Sequence, residues 1–417
     1  MEVREPSAKY LAARSRGNQS AFEGWAIESL GDISSIERGK FSARPRNDPR
    51  LYGGDIPFLQ TGDVAHSQGR IRTFSQTLNE RGLLVSRLFP QGTLFFTIAA
   101  NIGDVGIASF AAACPDSLVA ITPRDGVSTE WLLHELASKK HVFESLASPG
   151  AQLNINLEKL RPYLLAVPPF TEQRAIAEAL TDADALIDSL EQLLTKKRQI
   201  KQGAMQELLA GQRRLPGFAG LVQTTNLGSV CKMQSGGTPA ASQLHYFDGP
   251  HPWVAISDIT QADKYLTISE RSLSDAGLNA CAAQLFPAGT VLYAMYASVG
   301  ECCIAAVAAC TSQAILAMQP AKNLDCEYLY YSLLSCKARA KSAVQQGTQG
   351  NLNKGIVQAM EIRLPEIAEQ QAIARLLSDM DTELTTLESR LTKARALKQA
   401  MAQALLTGRI RLVGPSP

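Results

Sequence analysis

The sequence predicts a mixed α/β (α+β) protein with two globular domains separated by two long antiparallel coiled-coil helices, arranged as a pseudo-twofold internal repeat. Three observations predict this architecture. A segment of the first half recurs in the second half, the recurring segment has a heptad pattern of apolar residues, and the remaining segments mix β-type apolar runs with helical stretches. A chain of 417 residues is also long enough to build two hydrophobic cores.

The internal repeat has a constant offset of 197 residues. Pro168–Leu180 reads PPFTEQRAIAEAL, and Pro365–Leu377 reads PEIAEQQAIARLL. Over residues 168 to 215, 23 of 48 positions are identical to the residues 197 positions later. The globular segments are far less alike, whereas drift after a simple duplication would scatter the differences evenly. We therefore expect one shared scaffold that carries two different globular parts.

The repeated segments predict two long helices whose apolar residues step alternately by four and three positions. These residues are Ile176, Leu180, Ala183, Ile187, Leu190 and Leu194 in the first copy, and Ile373, Leu377, Met380, Leu384, Leu387 and Leu391 in the second. Such a seam is typical of a coiled coil. Each helix could instead pack only on its own domain. The narrow seam favours antiparallel pairing of the two helices.

The repeat and the helices together predict the domain boundaries. The expected order is an N-terminal tail (1–21), a first globular domain (22–167), a central helix (168–212), a second globular domain (213–364), a distal helix (365–412) and a C-terminal tail (413–417). Each globular domain combines strand-like runs with helical stretches and is therefore expected to be α/β or α+β. The sequence does not predict a strand order.

Composition limits the classes of protein to which the chain can belong. An apolar fraction of 45% and a charged fraction of 19% are ordinary for a folded globular protein. The net charge of +2 gives no sign of nucleic acid binding by itself, so only local clusters of Lys and Arg can indicate it. The first residues lack the apolar core of a secretory signal, and no apolar run reaches the ~20 residues that span a bilayer. We expect a cytoplasmic protein.

Motifs for catalysis are missing from the sequence. It contains no GxxxxGK[ST] phosphate loop, which argues against nucleotide hydrolysis. Val167-Pro-Pro-Phe170 resembles the amine-binding motif of amino methyltransferases, but valine cannot accept a hydrogen bond from the target amine. The eight cysteines form no CxxC pair, and the five histidines form no metal-binding pair with a carboxylate. We expect a non-catalytic chain without its own cofactor or metal ion.

A basic loop in the first half is the strongest candidate for a nucleic acid contact. Between residues 38 and 54 it carries five cations, Arg38, Lys40, Arg44, Arg46 and Arg50, against Glu37 and Asp48. Arginine can pair bidentately with guanine and asparagine with adenine, and both can contact phosphates. A solvated charged loop without a ligand is the alternative.

The corresponding segment of the second half is small and polar. Ser235–Ala240 reads SGGTPA, so its backbone amides are able to approach a phosphate closely. A plain turn is the alternative interpretation.

Several of these motifs resemble those of the specificity subunits of Type I restriction-modification enzymes. The resemblance rests on the Pro-x-x-x-Glu-Gln helix starts at 168–177 and 365–374, on SGGTP at 235–239, and on RPRNDPRLYGG and PFLQTGDV at 44–54 and 57–64. It covers nearly the whole chain. Proteins of this family contain two target-recognition domains, each followed by a helix.

The resemblance implies that each globular domain reads one half of a split, asymmetric double-stranded DNA target. The antiparallel helices would then fix the gap between the half-sites and dock two methyltransferase subunits, which restriction (translocase) subunits join. S-adenosylmethionine, ATP and Mg²⁺ would be used by those partner subunits. This chain would direct adenine-N6 methylation or cleavage in host defence without performing either, and without contact to a membrane.

By position, thirteen residues are candidates for DNA contacts. They are Arg38, Lys40, Arg44, Arg46, Asn47, Arg50, Gln60 and Thr61 in the first domain, and Ser235, Gly236, Gly237, Thr238 and Ser257 in the second. The pairs Asn154/Asn156 and Asn351/Asn353 also recur at the offset of 197, and they either contact DNA or cap the following segment.

Two other functions remain open from the residues. A coiled-coil adaptor that binds proteins and no DNA would share the same frame, but it need not show the steep salt dependence of a DNA reader. An autonomous methyltransferase would require binding of S-adenosylmethionine by the isolated chain.

Overall fold

A computed structural model describes residues 24–147, 154–346 and 352–412. The predicted tails 1–21 and 413–417, and Asn351, lie outside the described residues. The chain divides into two compact units. Unit 1 is formed by Met1–Leu190 together with Arg390–Pro417, and unit 2 by Glu191–Ser389.

Among its described residues, unit 1 contains three sheets and six short α-helices before the first long helix. Its strands are β1 (Ala26–Ser29), β2 (Ser34–Arg38), β3 (Tyr52–Phe58), β4 (Arg70–Ile71), β5 (Gln76–Leu78), β6 (Leu88–Phe89), β7 (Leu94–Thr97), β8 (Val105–Ala108), β9 (Ala112–Ala113), β10 (Leu118–Pro123) and β11 (Leu164–Val167). Its helices are α1 (Leu30–Ile33), α2 (Thr61–Ala65), α3 (Glu80–Leu84), α4 (Thr129–Ser138), α5 (Lys140–Leu146), α6 (Leu157–Leu160) and the first part of α7 (Phe170–Leu209).

Within its described residues, unit 2 follows a similar order of elements, without a counterpart of β6 and with a single helix in place of α4 and α5. Its strands are β12 (Gln223–Asn226), β13 (Cys231–Ser235), β14 (Phe247–Val254), β15 (Tyr265–Leu266), β16 (Arg271–Leu273), β17 (Val291–Ala294), β18 (Cys302–Ala305), β19 (Cys310–Thr311), β20 (Ile315–Pro320) and β21 (Glu361–Leu364). Its helices are α8 (Leu227–Val230), α9 (Ile256–Gln261), α10 (Asp275–Asn279), α11 (Cys326–Gln346), α12 (Lys354–Gln358) and the first part of α13 (Ile367–Leu405).

The two units share a sheet topology that the sequence did not predict. The main sheet has five strands in each unit, in the order β2-β10-β7-β8-β4 in unit 1 and β13-β20-β17-β18-β15 in unit 2. A smaller sheet follows the order β5-β3-β9-β6 in unit 1 and β16-β14-β19 in unit 2. Two-stranded sheets, β1-β11 and β12-β21, lead into α7 and α13. The expected α/β character and the internal repeat are confirmed.

The long helices pair antiparallel within each unit. In unit 1 the start of α7, with Ile176 and Leu180, shares one core with Leu405 at the end of α13. In unit 2 the end of α7, with Leu208, shares one core with Ile373 at the start of α13. The predicted antiparallel pairing is therefore confirmed, and each helix start also packs on the core of its own unit.

The predicted seam residues lie on the buried side of these helix pairs. Nine of them are buried: Ile176, Leu180, Ile187, Leu190, Leu194, Ile373, Leu377, Leu387 and Leu391. Leu384 is half-buried. Burial of an apolar side chain of this size contributes roughly 1.5–3 kcal/mol. The seam thus accounts for much of the stability of two helices that are otherwise rich in charged residues.

Buried carboxylates of the repeated Glu-Gln motif join the start of one long helix to the residues that follow the other. Glu172 accepts hydrogen bonds from Arg411 at 2.5 and 2.7 Å in unit 1, and Glu369 accepts one from Arg214 Nε at 2.6 Å in unit 2. The four residues are repeat equivalents, so the same ion pair occurs twice. The internal repeat therefore extends to individual contacts between the two copies of the motif.

The glutamines of the same motif join each helix to its own globular domain. Gln173 accepts from the Ser128 amide at 2.8 Å and donates to the Pro168 carbonyl at 2.9 Å. Gln370 accepts from the Asp325 amide at 2.8 Å and donates to the Pro365 carbonyl at 2.8 Å. Because buried polar groups need partners, these contacts explain why both residues recur in the motif.

The Val167-Pro-Pro-Phe170 segment is a junction between two elements. β11 ends at Val167, and α7 begins at Phe170. Within the described residues, no helix is both long and apolar enough to cross a membrane.

Candidate nucleic acid interface

The basic loop of unit 1 connects β2 to β3 and exposes its cations to solvent. Two aspartates bind three of its arginines. Arg38 donates to the Asp116 carbonyl at 2.7 Å, and Arg46 donates to both Asp116 carboxylate oxygens at 3.0 and 2.8 Å. Arg50 pairs with Asp48, from Nε at 3.0 Å and from Nη2 at 2.7 Å. The loop is therefore held by one ion pair within it, Arg50–Asp48, and by contacts of Arg38 and Arg46 with Asp116 outside it.

These ion pairs lie at the surface and are easily exchanged. The hydrogen bonds from Arg50 hold the pKa of Asp48 below its usual value, and the Arg50 side chain is 78% exposed. Exposed pairs of this kind contribute little to stability, because water solvates both partners. The arginine forks are thus oriented by the aspartates and remain able to bind an incoming phosphate or base edge.

The other loop candidates have looser surroundings. Arg44 donates to the Ala43 carbonyl at 2.7 Å, and the Lys40 and Asn47 side chains are exposed. The Lys40 amide donates to the Cys114 carbonyl at 3.0 Å, which holds the start of the loop against β9. Lys40 consequently presents its ammonium group from a fixed backbone.

An aromatic cluster supports the loop from below. The ring of Phe41 lies 5.0 Å from that of Phe58 and 5.9 Å from that of Tyr52, measured between centroids. The Tyr52 hydroxyl donates to the Arg46 carbonyl at 2.5 Å. These rings attach an exposed polar loop to the rigid small sheet, which is the usual arrangement of a binding loop.

Gln60 and Thr61 lie where β3 meets α2, at one edge of the small sheet. The Gln60 amide group donates to Gln76 Oε1 at 3.1 Å, and the Gln60 backbone amide donates to Asp63 at 2.7 Å. Gln76 is exposed at the start of β5, next to Gln60. Sequence reasoning missed Gln76, because no repeat or motif marks it.

Gly236 and Gly237, the glycines of the SGGTPA segment, are buried. The Gly237 amide donates to the Thr311 carbonyl at 2.9 Å, and the Gly237 carbonyl accepts from Trp253 Nε1 at 3.0 Å. A Cβ atom at Gly236 would lie 1.8 Å from the Thr311 carbonyl oxygen. The expectation that these backbone amides approach a phosphate is therefore wrong for Gly237, whose amide bonds within the protein. Both glycines allow close packing of the chain.

The hydroxyl candidates of unit 2 lie around the same packed segment. Thr238 is exposed and donates to the Gln313 side chain, and Ser235 is half-buried at the end of β13. Ser257 is exposed in the first turn of α9. The next residue, Asp258, accepts from the amides of Ala255 at 2.7 Å and Glu270 at 2.9 Å. Asp258 thereby holds the start of α9 against the segment that enters β16.

Two of the recurring asparagines cap helices. Asn156 accepts from the Lys159 amide at 3.1 Å, and Asn353 accepts from the Ile356 amide at 2.9 Å. Of the two interpretations that the sequence left open, the structure supports capping for these two residues.

Other potential reactive groups are buried or dispersed. Among residues 24–147, 154–346 and 352–412, no three His, Cys, Asp or Glu side chains are placed to hold a metal ion. The cysteines of this part of the chain are free thiols, and burial raises the pKa of Cys231 and Cys303 to about 12. Thiols of this kind stay protonated and unreactive at neutral pH.

Comparisons with known proteins agree with the repeat. Residues 22–202 and 221–394 match the family described as Type I restriction modification DNA specificity domain. The putative type I restriction enzyme MjaX specificity subunit of Methanocaldococcus jannaschii is 22% identical over 422 aligned residues, covering 94% of both proteins. The MjaIX specificity subunit of the same organism is 29% identical over 156 residues, and this alignment spans 36% of either protein.

A solved structure has the same fold. The S subunit of a Type I restriction-modification system from M. genitalium has a TM-score of 0.59 at 14% identity, covering 91% of this chain and 96% of that one. Specificity subunits are the non-catalytic components of Type I systems and recognise the DNA target. Because the family match includes both repeats and most of the chain, this protein belongs to the family of Type I restriction-modification specificity subunits.

Proposed function

We propose that this chain reads a bipartite, asymmetric DNA target. The first domain (22–167) reads one half-site and the second domain (213–364) reads the other. The helices at 168–212 and 365–412 set the gap and dock two methyltransferase subunits, to which restriction subunits bind. S-adenosylmethionine, ATP and Mg²⁺ are used by these partners, and the chain guides adenine methylation or cleavage.

One contrast between the units carries this proposal. Their frames agree in strand order and in the two Glu–Arg ion pairs. The loops at the same place in each frame differ, since residues 38–50 of unit 1 carry five cations whereas residues 235–247 of unit 2 contain no Lys or Arg. A common framework that carries two different loops is expected of a protein that reads two different DNA sequences.

The chemistry of each loop suits DNA. In unit 1, Arg38, Lys40, Arg44, Arg46 and Arg50 supply positive charge for phosphates and forks for guanine, and Asn47, Gln60 and Thr61 supply groups for other base edges. In unit 2, Ser235, Thr238 and Ser257 supply hydroxyl groups, which Gly236 and Gly237 position through close packing.

Docking of partner subunits on the long helices has its own support. In unit 2, Leu193 is 39% exposed and Ile200 is 46% exposed on α7, although both are large apolar residues. They are one heptad apart, and therefore share a helix face. An apolar face of this kind suits a helix of another subunit.

Methylome sequencing tests this function. Cells that express the chain with its candidate methyltransferase subunit should contain a split N6-methyladenine motif that is absent without the chain. Absence of any chain-dependent motif, with the two proteins still bound to each other, would contradict the proposal.

The role of the helices needs a separate test. Seven residues inserted after Leu194, together with seven inserted after Leu391, should change the gap and leave both half-motifs unaltered. An unaltered gap would show that the helices do not set the spacing.

A further inference from the structure

The second unit lacks basic residues in the loop that corresponds to the basic loop of unit 1. Residues 236–246, between β13 and β14, contain no Lys or Arg. A DNA-reading surface needs positive charge, because phosphate contacts supply much of the affinity. Any cation that serves this surface must therefore come from another element of unit 2.

Arg271 is an exposed cation held on an aromatic surface. It begins β16, where it is the cross-strand partner of Trp253 in β14. Its guanidinium carbon lies 4.2 Å from the ring centroid of Phe247 and 5.5 Å from that of Trp253. Both rings are buried, so they form a fixed platform. A guanidinium attracted to aromatic rings loses freedom while it keeps its N–H donors.

The donors of this guanidinium are unused. Across the described residues, the Arg271 side chain makes no hydrogen bond or ion pair, whereas Arg46 and Arg50 of unit 1 are bound to aspartates. An oriented arginine with free donors is suited to an external ligand that offers two neighbouring acceptors.

Arg271 also lies beside the other candidates of unit 2. Trp253, which carries the guanidinium, donates to the Gly237 carbonyl at 3.0 Å, next to Thr238. Asp258, next to Ser257, accepts from the amide of Glu270 at 2.9 Å, and Glu270 precedes Arg271. These two contacts connect β14 and the start of β16 to the segments that carry Thr238 and Ser257.

The same strand position in unit 1 is also polar. Gln76 begins β5 and is the cross-strand partner of Phe58, as Arg271 is of Trp253. Gln76 pairs with Gln60, itself a candidate for DNA contact. The position thus carries an amide in one unit and a guanidinium in the other.

We propose that Arg271 is a DNA-contacting residue of the second half-site, and that its fork binds two adjacent acceptors of the DNA. A guanine edge and a phosphate share this chemistry. The inference rests on the proposed function and adds to it a specific residue of unit 2.

The test uses the full chain assembled with its methyltransferase subunit. Binding to a duplex that carries the wild-type motif is measured for Arg271→Ala and Arg271→Lys, and methylomes are recorded for each. Lys322→Ala, which removes an exposed charge elsewhere in unit 2, is the matched control. The half-motif read by unit 1 serves as an internal measure of folding.

Arg271→Ala should weaken binding about 10- to 100-fold if the fork pairs with guanine, and relax one base position of one half-motif. Arg271→Lys should relax the same position. If the fork binds a phosphate instead, Arg271→Ala should weaken binding to all DNA sequences equally and lower the slope of log affinity against log salt by about one. Arg271→Lys should then largely keep the wild-type affinity.

Unchanged affinity and an unchanged motif in Arg271→Ala, with normal wild-type binding, would overturn the inference alone. Failure of the wild-type complex to bind or methylate any specific sequence would overturn the proposed function and the inference with it.

Discussion

Units 1 and 2 have the same framework but different exposed chemistry. Gly39 and Gly236 are repeat equivalents, and each packs against the chain at the end of the short strand β9 or β19. Asp63 and Asp258 both accept a backbone amide at 2.7 Å at the start of a helix. The exposed residues beside them are arginines in unit 1 and small polar residues in unit 2. Buried contacts are thus retained where exposed groups have diverged.

The units also differ where each globular part meets the long helices. In unit 2, Lys264 donates to Glu327 at 2.6 Å and to Ser378 at 2.5 Å, and Tyr331 donates to Asp381 at 2.6 Å. In unit 1 the corresponding contact is longer: His134, the repeat equivalent of Tyr331, lies 3.3 Å from Thr181 of α7. The junction of unit 2 is therefore more firmly bonded.

The Glu–Arg pairs should give the largest effects on stability. Arg214→Ala leaves the carboxylate of Glu369, which is 1% exposed, without its charged partner, and we expect a loss of about 3–5 kcal/mol. Arg411→Ala should cost less, because Trp25 still donates to Glu172 at 3.0 Å. Urea unfolding of both variants measures the difference. Arg213→Ala, which removes an exposed pair with Glu207, is the control. Equal losses in all three variants would contradict the assigned role of the pairs.

Acid should destabilise unit 1 more than unit 2. Burial, with Lys398 and Arg70 nearby and despite Glu130, lowers the pKa of His134 to about 4. The unfolded chain binds a proton below about pH 6.5 that the folded chain does not bind, so stability present above pH 6.5 is lost as the pH falls toward 4. The loss should reach roughly 3 kcal/mol. Hydrogen exchange at pH 4.5 and 7 should show that this loss of stability occurs in unit 1. His134→Gln should make the loss smaller. An equal loss in that variant would exclude His134 as the cause.

Substitution of alanine for either of the repeat-equivalent glycines, Gly39 and Gly236, should destabilise its unit to a similar degree. The added Cβ of Gly236→Ala would lie 1.8 Å from the Thr311 carbonyl oxygen, and that of Gly39→Ala 2.2 Å from the Pro115 carbonyl oxygen. We expect each substitution to cost about 1–3 kcal/mol in thermal unfolding. Gly203→Ala is the control, since its Cβ meets nothing within 4 Å in α7 and should stabilise the helix slightly. If only one of the two alanine variants lost stability, the two glycines would not have equivalent structural roles.

Lys40 should affect DNA binding more weakly than the structural variants affect folding. Its ammonium group is exposed, so Lys40→Ala should lower affinity a few-fold for all sequences and reduce the slope of log affinity against log salt by about one. Titrations of the assembled complex at several salt concentrations measure this slope, with Lys322→Ala as the control. A change in the half-motif itself would mean that Lys40 reads a base.

The sequence predicted the parts of the fold that depend on local periodicity. The heptad residues and the Glu-Gln motif identified both long helices, because a helix repeats its buried face every few residues. The strand order was not predictable, since pairs such as β2 with β10 join residues far apart in the chain. The sequence of 235–240 left a phosphate contact and a plain turn both open, because nothing in the sequence places Thr311 over Gly236. Arg271 was missed because a single arginine in a strand has no motif, and its aromatic partners lie on another strand.

We propose that each unit reads its own half-site on a common frame. In the decisive experiment, residues 219–364 are replaced with a second copy of residues 22–167, because Arg214, the Glu-Gln motifs and the long helices then stay in place. Methylome sequencing of cells that express this chain with its methyltransferase subunit should show the half-motif of the first domain in both halves of the target. Retention of the original second half-motif would contradict the claim.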